Sequence, residues 1–309
     1  MERRDFLKGA GIGALTLWAR PRVLHAQAAG SVRNLTPRLA VLDVGGTNVL
    51  CFRLGVPGLV VVDSGAQNSR AQLMAGINAL GGNTKLGILF NTHYHTDQTG
   101  NNEVFAAAGA KIIAHEHTRQ WMSTDYFVPD ENRYERARPK AAQPTETFRT
   151  TGSLQVAGPR LEEIDYGSLP LAHTDGDIYV FFKTSNVMAV GDVASPLRDP
   201  SLDWFTGAWI GGRVDAMDTI LKLSNDETLI VAATGPVMTR TEFKEERDMM
   251  EEVRSRIWKR TLQGDSPQEM LEAGVMNGLV RAWKDPHKFL YDAAKGMFAH
   301  HNKLDPGVV

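Results

Sequence analysis

The chain has 309 residues and a single cysteine, Cys51, so no disulfide can form within it. It also has little net charge, with 34 Lys and Arg against 36 Asp and Glu, and therefore no electrostatic footprint for nucleic acid. Short-period repeats and low-complexity segments are absent as well. These absences exclude a disulfide scaffold, a nucleic-acid binder and a repeat array. Cys51 lies in an apolar stretch, and we interpret it as a small buried hydrophobic residue.

The first residues are typical of a twin-arginine export signal. Arg3 and Arg4 precede an apolar stretch at 9–19, which is too short to span a bilayer comfortably, and small residues at 26–28 offer a cleavage site. We therefore predict a signal peptide at 1–28, a periplasmic mature protein and no membrane segment in the mature form. An uncleaved membrane anchor is the alternative.

The central part of the chain alternates short apolar runs with helical patterns, which favours a layered α/β fold. Strands are predicted at 38–44, 49–54, 58–63, 86–90, 110–114, 155–157, 160–165, 178–182 and 187–190, and helices at 69–80, 101–108 and 214–223. The segment 125–147 is polar, contains prolines and aromatic residues and has no pattern, so we predict a lid over a site. Helices are predicted at 240–262, 276–283 and 286–297, with a further helix starting in a capping box at Ser266.

Two histidines follow the apolar run at 86–90. His93 and His95 stand two residues apart, so their side chains point the same way if the segment is extended. Asp97 follows them, and a third histidine, His173, precedes the apolar run at 178–182. Three imidazoles with an open fourth position are the usual ligands of a catalytic zinc. This pattern predicts a metal-dependent hydrolase.

The same residues resemble the motifs of the metallo-β-lactamase superfamily. The segment 91–98 (NTHYHTDQ) is similar to the H-x-H-x-D-H signature, and 172–177 (AHTDGD), 191–192 (GD) and 61–65 (VVDSG) resemble three further motifs in order. The resemblance spans about 39–237. It implies a four-layer αββα sandwich at 35–240, with a helical segment at 241–309 whose oligomeric role stays open.

The resemblance also implies the roles of individual residues. One zinc would be held by three histidines, Asp97 would hold a second metal, and Asp192 would bridge the two. Asp63 would orient a ligand or cap its turn. Gln98 and Thr234 stand where the family has histidines, so we expect one firmly bound zinc and a second ion that is weak or absent. The residues with these expected roles are His93, His95, Asp97, Gln98, His173, Asp192, Thr234 and Asp63.

The leading hypothesis is an exported zinc hydrolase of a small-molecule substrate. Hydroxide on zinc would attack an ester, lactone or amide-like bond, a β-lactam included, and Asp97 would act as the general base. The alternatives are a degenerate member that binds a ligand or partner without catalysis, and an accessory factor of a periplasmic redox system. A second H-x-H pair, His115 and His117, is expected near the site but away from the metal.

Overall fold

A computed structural model describes residues 31–53, 58–81, 84–128, 131–156, 161–279 and 281–302. The signal peptide predicted at 1–28 lies outside these residues. Within the part of the chain that is described, no helix is both long and apolar enough to cross a membrane.

The first half of the chain builds a seven-stranded sheet. Its strands are β1 (Val32–Asn34), β2 (Leu39–Asp43), β3 (Asn48–Arg53), β4 (Leu59–Val62), β5 (Leu86–Phe90), β6 (Lys111–His115) and β9 (Glu146–Phe148). Two further strands, β7 (Tyr126–Val128) and β8 (Arg133–Glu135), form a separate hairpin. The order in the sheet is β1-β2-β3-β4-β5-β6-β9, and the pairs from β4 to β9 are parallel. The carboxyl ends of β4, β5 and β6 therefore meet at one edge.

The second half builds a six-stranded sheet. Its strands are β10 (Thr151–Val156), β11 (Glu162–Ser168), β12 (Ile178–Phe182), β13 (Val187–Gly191), β14 (Leu229–Ala232) and β15 (Met238–Thr239), paired in chain order. Only the β13–β14 pair is parallel among these five pairs of described strands.

Eight α-helices are present in the described residues. They are α1 (Arg70–Ala79), α2 (Thr96–Thr99), α3 (Asn102–Ala107), α4 (Glu116–Ser123), α5 (Ile210–Leu223), α6 (Arg240–Thr261), α7 (Pro267–Glu272) and α8 (Pro286–Asn302). The capping box predicted at Ser266 is present, and α6 begins with a second one at Thr239 that was not predicted.

Successive side chains of the buried strands point to opposite faces of the sheets, and this alternation divides the core into three layers. In β2, Leu39 and Val41 face the second sheet, whereas Ala40 and Leu42 face α1. In β13, Val187 and Ala189 face the first sheet, whereas Met188 and Val190 face α5, α6 and α8. The result is the predicted four-layer αββα sandwich, with the carboxyl-terminal helices packed on its second sheet.

One helix predicted from sequence is wrong, and one segment predicted to have no pattern is partly ordered. Residues 276–283 do not form a helix in the described part, because Gly274 and Gly278 adopt left-handed φ angles of 77° and 75° that end helical hydrogen bonding. The predicted lid at 125–147 is irregular only in part, since it contains the hairpin β7–β8, and β9 joins the first sheet beside β6. Cys51 is fully buried, as predicted, and is a free thiol.

Candidate metal centre

The three histidines meet where strands of both sheets end. His93 and His95 follow β5, and His173 lies in the loop between β11 and β12. The backbone N–H of Ile178, the first residue of β12, donates to the carbonyl of Thr92 at 3.0 Å, which ties the two loops together. Asp192 follows β13 directly. The fold thus brings residues that are 80 positions apart in sequence to one edge of the sandwich.

The ligand nitrogens of the three histidines face a common point. One ring nitrogen of each lies within 4.8 Å of the others, and His95 Nδ1 is 2.9 Å from His173 Nε2. Zinc–nitrogen bonds of about 2.0–2.1 Å in tetrahedral geometry separate two ligand nitrogens by roughly 3.3 Å. The observed spacing is close to that value. His93 Nε2 is buried and has no hydrogen-bond partner among the described residues. A buried polar atom without a partner is unusual, and this nitrogen is therefore available to bind a metal ion.

The outer nitrogen of His93 is held by a chain of hydrogen bonds. His93 Nδ1 lies 3.1 Å from Thr92 Oγ1, and this hydroxyl donates to Asp63 Oδ2 at 2.8 Å. The hydroxyl is therefore an acceptor for Nδ1–H, which leaves the lone pair on Nε2. Asp63 also accepts the backbone N–H of Thr92 and sits at φ 61°, a strained conformation for a residue other than glycine.

The outer nitrogens of the other two histidines also face acceptors. His173 Nδ1 donates to the carbonyl of Ser201 at 3.0 Å, and His95 Nε2 donates to Asp203 Oδ2 at 3.2 Å. Tyr94 OH donates to the same carboxylate oxygen. Each imidazole thus has its proton on the side away from the common point and a lone pair toward it. This arrangement of donor atoms fits a zinc ion.

Hydrogen bonds and a close backbone approach fix the loops that carry His173 and His93. Asp177 Oδ2 accepts the backbone N–H of His173 at 2.6 Å and that of Thr174 at 2.9 Å. Gly191 closes the neighbouring turn with φ 58°, and a Cβ there would lie 2.7 Å from Thr92 Oγ1. Only glycine allows this approach of β13 to the loop of His93.

Burial and neighbouring charges set the pKa values of the buried groups. Burial raises the pKa of Asp63 to about 8, and it raises the pKa of Asp192 as well. Burial, with the neighbouring His173 and His95, holds the pKa of His93 well below its usual value. Burial opposes ionisation of Asp203, but hydrogen bonds from His95 and Tyr94 outweigh it and lower the pKa of Asp203.

Asp192 and Asp97 lie beside the three histidines. Asp192 Oδ2 is 3.7 Å from His93 Nε2 and 3.8 Å from His173 Nε2. His93, Asp97 and Asp192 also offer ligand atoms that lie within 4.8 Å of one another, which is the position expected for a second ion. Asp97 forms an ion pair with Arg198 at 3.2 Å. A guanidinium thus already lies beside the carboxylate that would serve that second ion.

Gln98 and Thr234, which stand at the expected histidine positions, are buried. The amide nitrogen and oxygen of Gln98 and the hydroxyl of Thr234 have no hydrogen-bond partner among the described residues. Neutral oxygen and amide groups are poorer zinc ligands than imidazole. Gln98 and Thr234 are thus weaker candidate ligands for a second ion than two histidines would be.

The second H-x-H pair lies away from the metal centre. His115 Nδ1 accepts the backbone N–H of His117 at the start of α4, and His115 Nε2 lies 3.1 Å from the carbonyl of Arg149. His117 Nδ1 lies 3.1 Å from Asp175 Oδ2 in the loop of His173. Neither belongs to a cluster of described residues that could hold a metal.

Sequence reasoning missed Asp203 and Arg198, which both lie between β13 and α5. Neither follows a strand directly, and neither belongs to a motif of the resemblance. The nearest signal is the aromatic stretch at 204–212, which directly follows Asp203. Trp204 and Phe205 of this stretch line a cavity, whereas Ile210 packs in the core.

This cavity has a volume of about 530 Å³ and opens beside the metal centre. His95, Asp97 and Asp203 form one side of it, and the hairpin β7–β8 forms another. Such a volume suits a small-molecule substrate.

Comparison with known proteins gives one family and several similar solved structures. A family model described as the metallo-beta-lactamase superfamily matches residues 42–235. Among solved structures, a metallo-beta-lactamase from Pontibacter korlensis has a TM-score of 0.56 and 16% identity, over 72% of this chain and 98% of that one. The sec-alkylsulfatase Pisa1 from Pseudomonas sp. has a TM-score of 0.61 and 13% identity, over 88% of this chain and 50% of that one. The DIM-1 metallo-beta-lactamase has a TM-score of 0.55 and 14% identity, over 72% and 96%. No curated protein matches. At these identities the structural likeness concerns the fold alone.

Proposed function

Because the chain belongs to the metallo-β-lactamase superfamily, we propose that it is a zinc-dependent hydrolase of ester, lactone or amide-like bonds. The observation that carries this proposal is the orientation of the three histidine rings. Each outer nitrogen faces an acceptor, so each inner nitrogen offers its lone pair to one point beside a substrate-sized cavity.

His93, His95 and His173 would hold the ion. When bound, zinc supplies Lewis acidity, which polarises a carbonyl and makes water a nucleophile near neutral pH. The protein's own groups then have distinct tasks. Asp63, Asp203 and the Ser201 carbonyl orient the three imidazoles.

Asp97 is the proposed general base. It lines the cavity, and Arg198 pairs with its Oδ2. This pairing occupies Oδ2 and leaves Oδ1 to accept a proton from the attacking water. The same ion pair, together with Gln98 and Thr234, supports one firmly bound zinc rather than two.

The test is hydrolysis of a panel of chromogenic esters, lactones and β-lactams by the zinc-loaded protein. His95→Ala is expected to remove turnover, because His95 is a ligand, while His117→Ala is the matched control because it lies off the metal centre. Full turnover by His95→Ala on any substrate that the parent hydrolyses would contradict the proposal.

A second candidate is a ligand-binding protein without catalysis. It is favoured by Gln98 and Thr234, which replace two histidines that the resemblance leads one to expect. If this candidate is right, the protein should bind zinc firmly and hydrolyse no substrate of the panel.

We also propose export to the periplasm, as the arginine pair near the start of the chain indicates. Reporter fusions of residues 1–28 with Arg3 and Arg4 replaced by lysine would test this proposal.

A further inference from the structure

The cavity beside the metal centre has an aromatic wall. Tyr94, Tyr126, Trp204 and Phe205 line it, and the rings of Tyr126 and Phe205 stack with 6.1 Å between centroids and 23° between planes. Trp121 supports this wall from behind, edge-on to Tyr126 at 5.0 Å. Rigid aromatic surfaces of this kind contact flat or apolar parts of a ligand at little cost in conformational entropy.

Two of the basic side chains that line the cavity already have carboxylate partners. Arg133 pairs with Glu131 at 2.8 Å and with Glu135. Lys288 Nζ pairs with Asp292 at 2.6 Å, one helical turn along α8. Their charges are therefore balanced within the protein, and neither has a free charge to offer a ligand.

Arg138 also lines the cavity, and it differs from the other two. Its side chain is half-buried, and its guanidinium makes no hydrogen bond or ion pair with any described residue. Burial lowers the pKa of Arg138, while the phenols of Tyr126 and Tyr94 oppose that effect. A guanidinium nevertheless stays protonated, so its desolvated charge lacks a counter-ion in the described structure.

The backbone holds Arg138 in place. Its N–H donates to the carbonyl of Met122 in α4 at 2.8 Å, and its own carbonyl accepts from Gln143 Nε2 at 2.9 Å. The guanidinium is therefore presented from a fixed backbone, which reduces the entropy lost when it binds a ligand.

We propose that Arg138 is a specificity residue that binds an anionic group on the substrate. The substrate class is an amphipathic anion, with a carboxylate or similar oxyanion at Arg138, an aromatic or apolar body against the aromatic wall, and the hydrolysed bond near His95. Because Arg138 and His95 line one cavity, this substrate class rests on the proposed hydrolytic function. A guanidinium suits the role because its parallel N–H groups can bind a carboxylate in two places at once.

Two matched probes test the assignment by calorimetric titration of the zinc-loaded full chain. Naphthalene-1-carboxylate carries the anion, and naphthalene-1-carboxamide has the same ring and no charge. We expect the parent protein to bind the carboxylate about 10- to 100-fold more tightly, as for a charge-assisted hydrogen-bonded pair. Arg138→Gln should lose this preference and keep its affinity for the carboxamide, which shows that the cavity is still folded. Arg138→Lys should keep part of the preference.

Arg136→Gln is the control, since Arg136 is an exposed arginine that pairs with Asp125 and does not line the cavity. It should bind both probes as the parent does. His95→Ala, titrated without zinc, should also keep the preference, which separates binding at Arg138 from binding at the metal. A preference for the carboxylate that survives in Arg138→Gln, or a parent protein without any preference, would overturn the assignment.

The two proposals fail in different ways. If no ester, lactone or lactam is hydrolysed but the preference depends on Arg138, the hydrolase proposal falls and the anion site stands. If His95→Ala abolishes hydrolysis while Arg138→Gln leaves the preference unchanged, the hydrolase proposal stands and the anion site falls.

Discussion

Removing the carboxylate of Asp203 should weaken zinc binding although Asp203 is not a ligand. Its Oδ2 accepts hydrogen bonds from His95 Nε2 at 3.2 Å and from Tyr94 OH. Asp203→Ala removes the acceptor of both hydrogen bonds, so the imidazole of His95 loses what fixes its proton on Nε2 and its lone pair on Nδ1. The backbone contribution of Asp203, an N–H that donates to the carbonyl of His173, is unaffected.

The size of the effect follows from this geometry. Loss of a partner that orients a metal-bound histidine typically costs 10- to 100-fold in metal affinity, or about 1.4–2.7 kcal/mol. We expect Asp203→Ala to fall in this range. Asp203→Asn should cost less, because its amide oxygen can still accept from Nε2–H. Tyr94→Phe should cost least, because it leaves the bond to His95 intact.

The assay is a titration of metal-free protein with zinc in competition with a chromogenic chelator, which gives the dissociation constant directly. Asp226→Ala is the control, since this exposed aspartate pairs with Arg240 far from the metal centre in sequence and fold. If Asp203→Ala binds zinc as tightly as the parent, hydrogen bonding to the outer nitrogen of His95 does not govern the site and the reasoning fails.

Four further predictions concern the fold. Burial raises the pKa of Cys51 to about 12, so an aromatic disulfide reagent at about pH 8 should label no thiol in the native protein and one in denaturant. For the same reason, the contribution of Cys51 to the free energy of unfolding should be fully present below the pKa of the unfolded thiol. It should be lost as the pH rises toward 12, because the unfolded state loses the thiol proton first, and a Cys51→Ala variant should show a weaker fall. Phe182 is fully buried and packs against Phe52 between the sheets, with 5.4 Å between the ring centroids, so Phe182→Ala should lower the free energy of unfolding in urea by about 3–5 kcal/mol; a loss under about 1 kcal/mol would contradict this packing. Thr239→Ala removes the capping box that Thr239 forms with Glu242 at the start of α6 and should cost about 1 kcal/mol in the same assay, whereas an unchanged midpoint would show that the cap is dispensable.

Periodicity predicted those parts of the fold that depend on local sequence. The strand at 178–182 is buried on both faces and consists of five consecutive apolar residues, so its pattern and its structure coincide. The histidines could be proposed as ligands because their spacing after a strand is itself a local signal. The structure brings His93, His95 and His173 together as the sequence suggested.

Long-range contacts were not visible in the sequence. β9 is only three residues long and polar at its start, and it is a strand because β6 offers it a parallel edge. The predicted helix at 276–283 had the right apolar residues, but backbone turns at Gly274 and Gly278 prevail over them. Asp203 becomes a partner of His95 only through a loop more than one hundred residues away. No local pattern reports such a contact.

Metal content is the most direct test of the account. Elemental mass spectrometry on protein purified without chelators or added metal should give about one zinc per chain, His173→Ala should give substantially less, and His117→Ala should match the parent. No bound metal in the parent, even after zinc is offered, would contradict the assignment of His93, His95 and His173 as a metal centre. Close to two zinc ions per chain would contradict the proposal that Arg198, Gln98 and Thr234 leave room for only one.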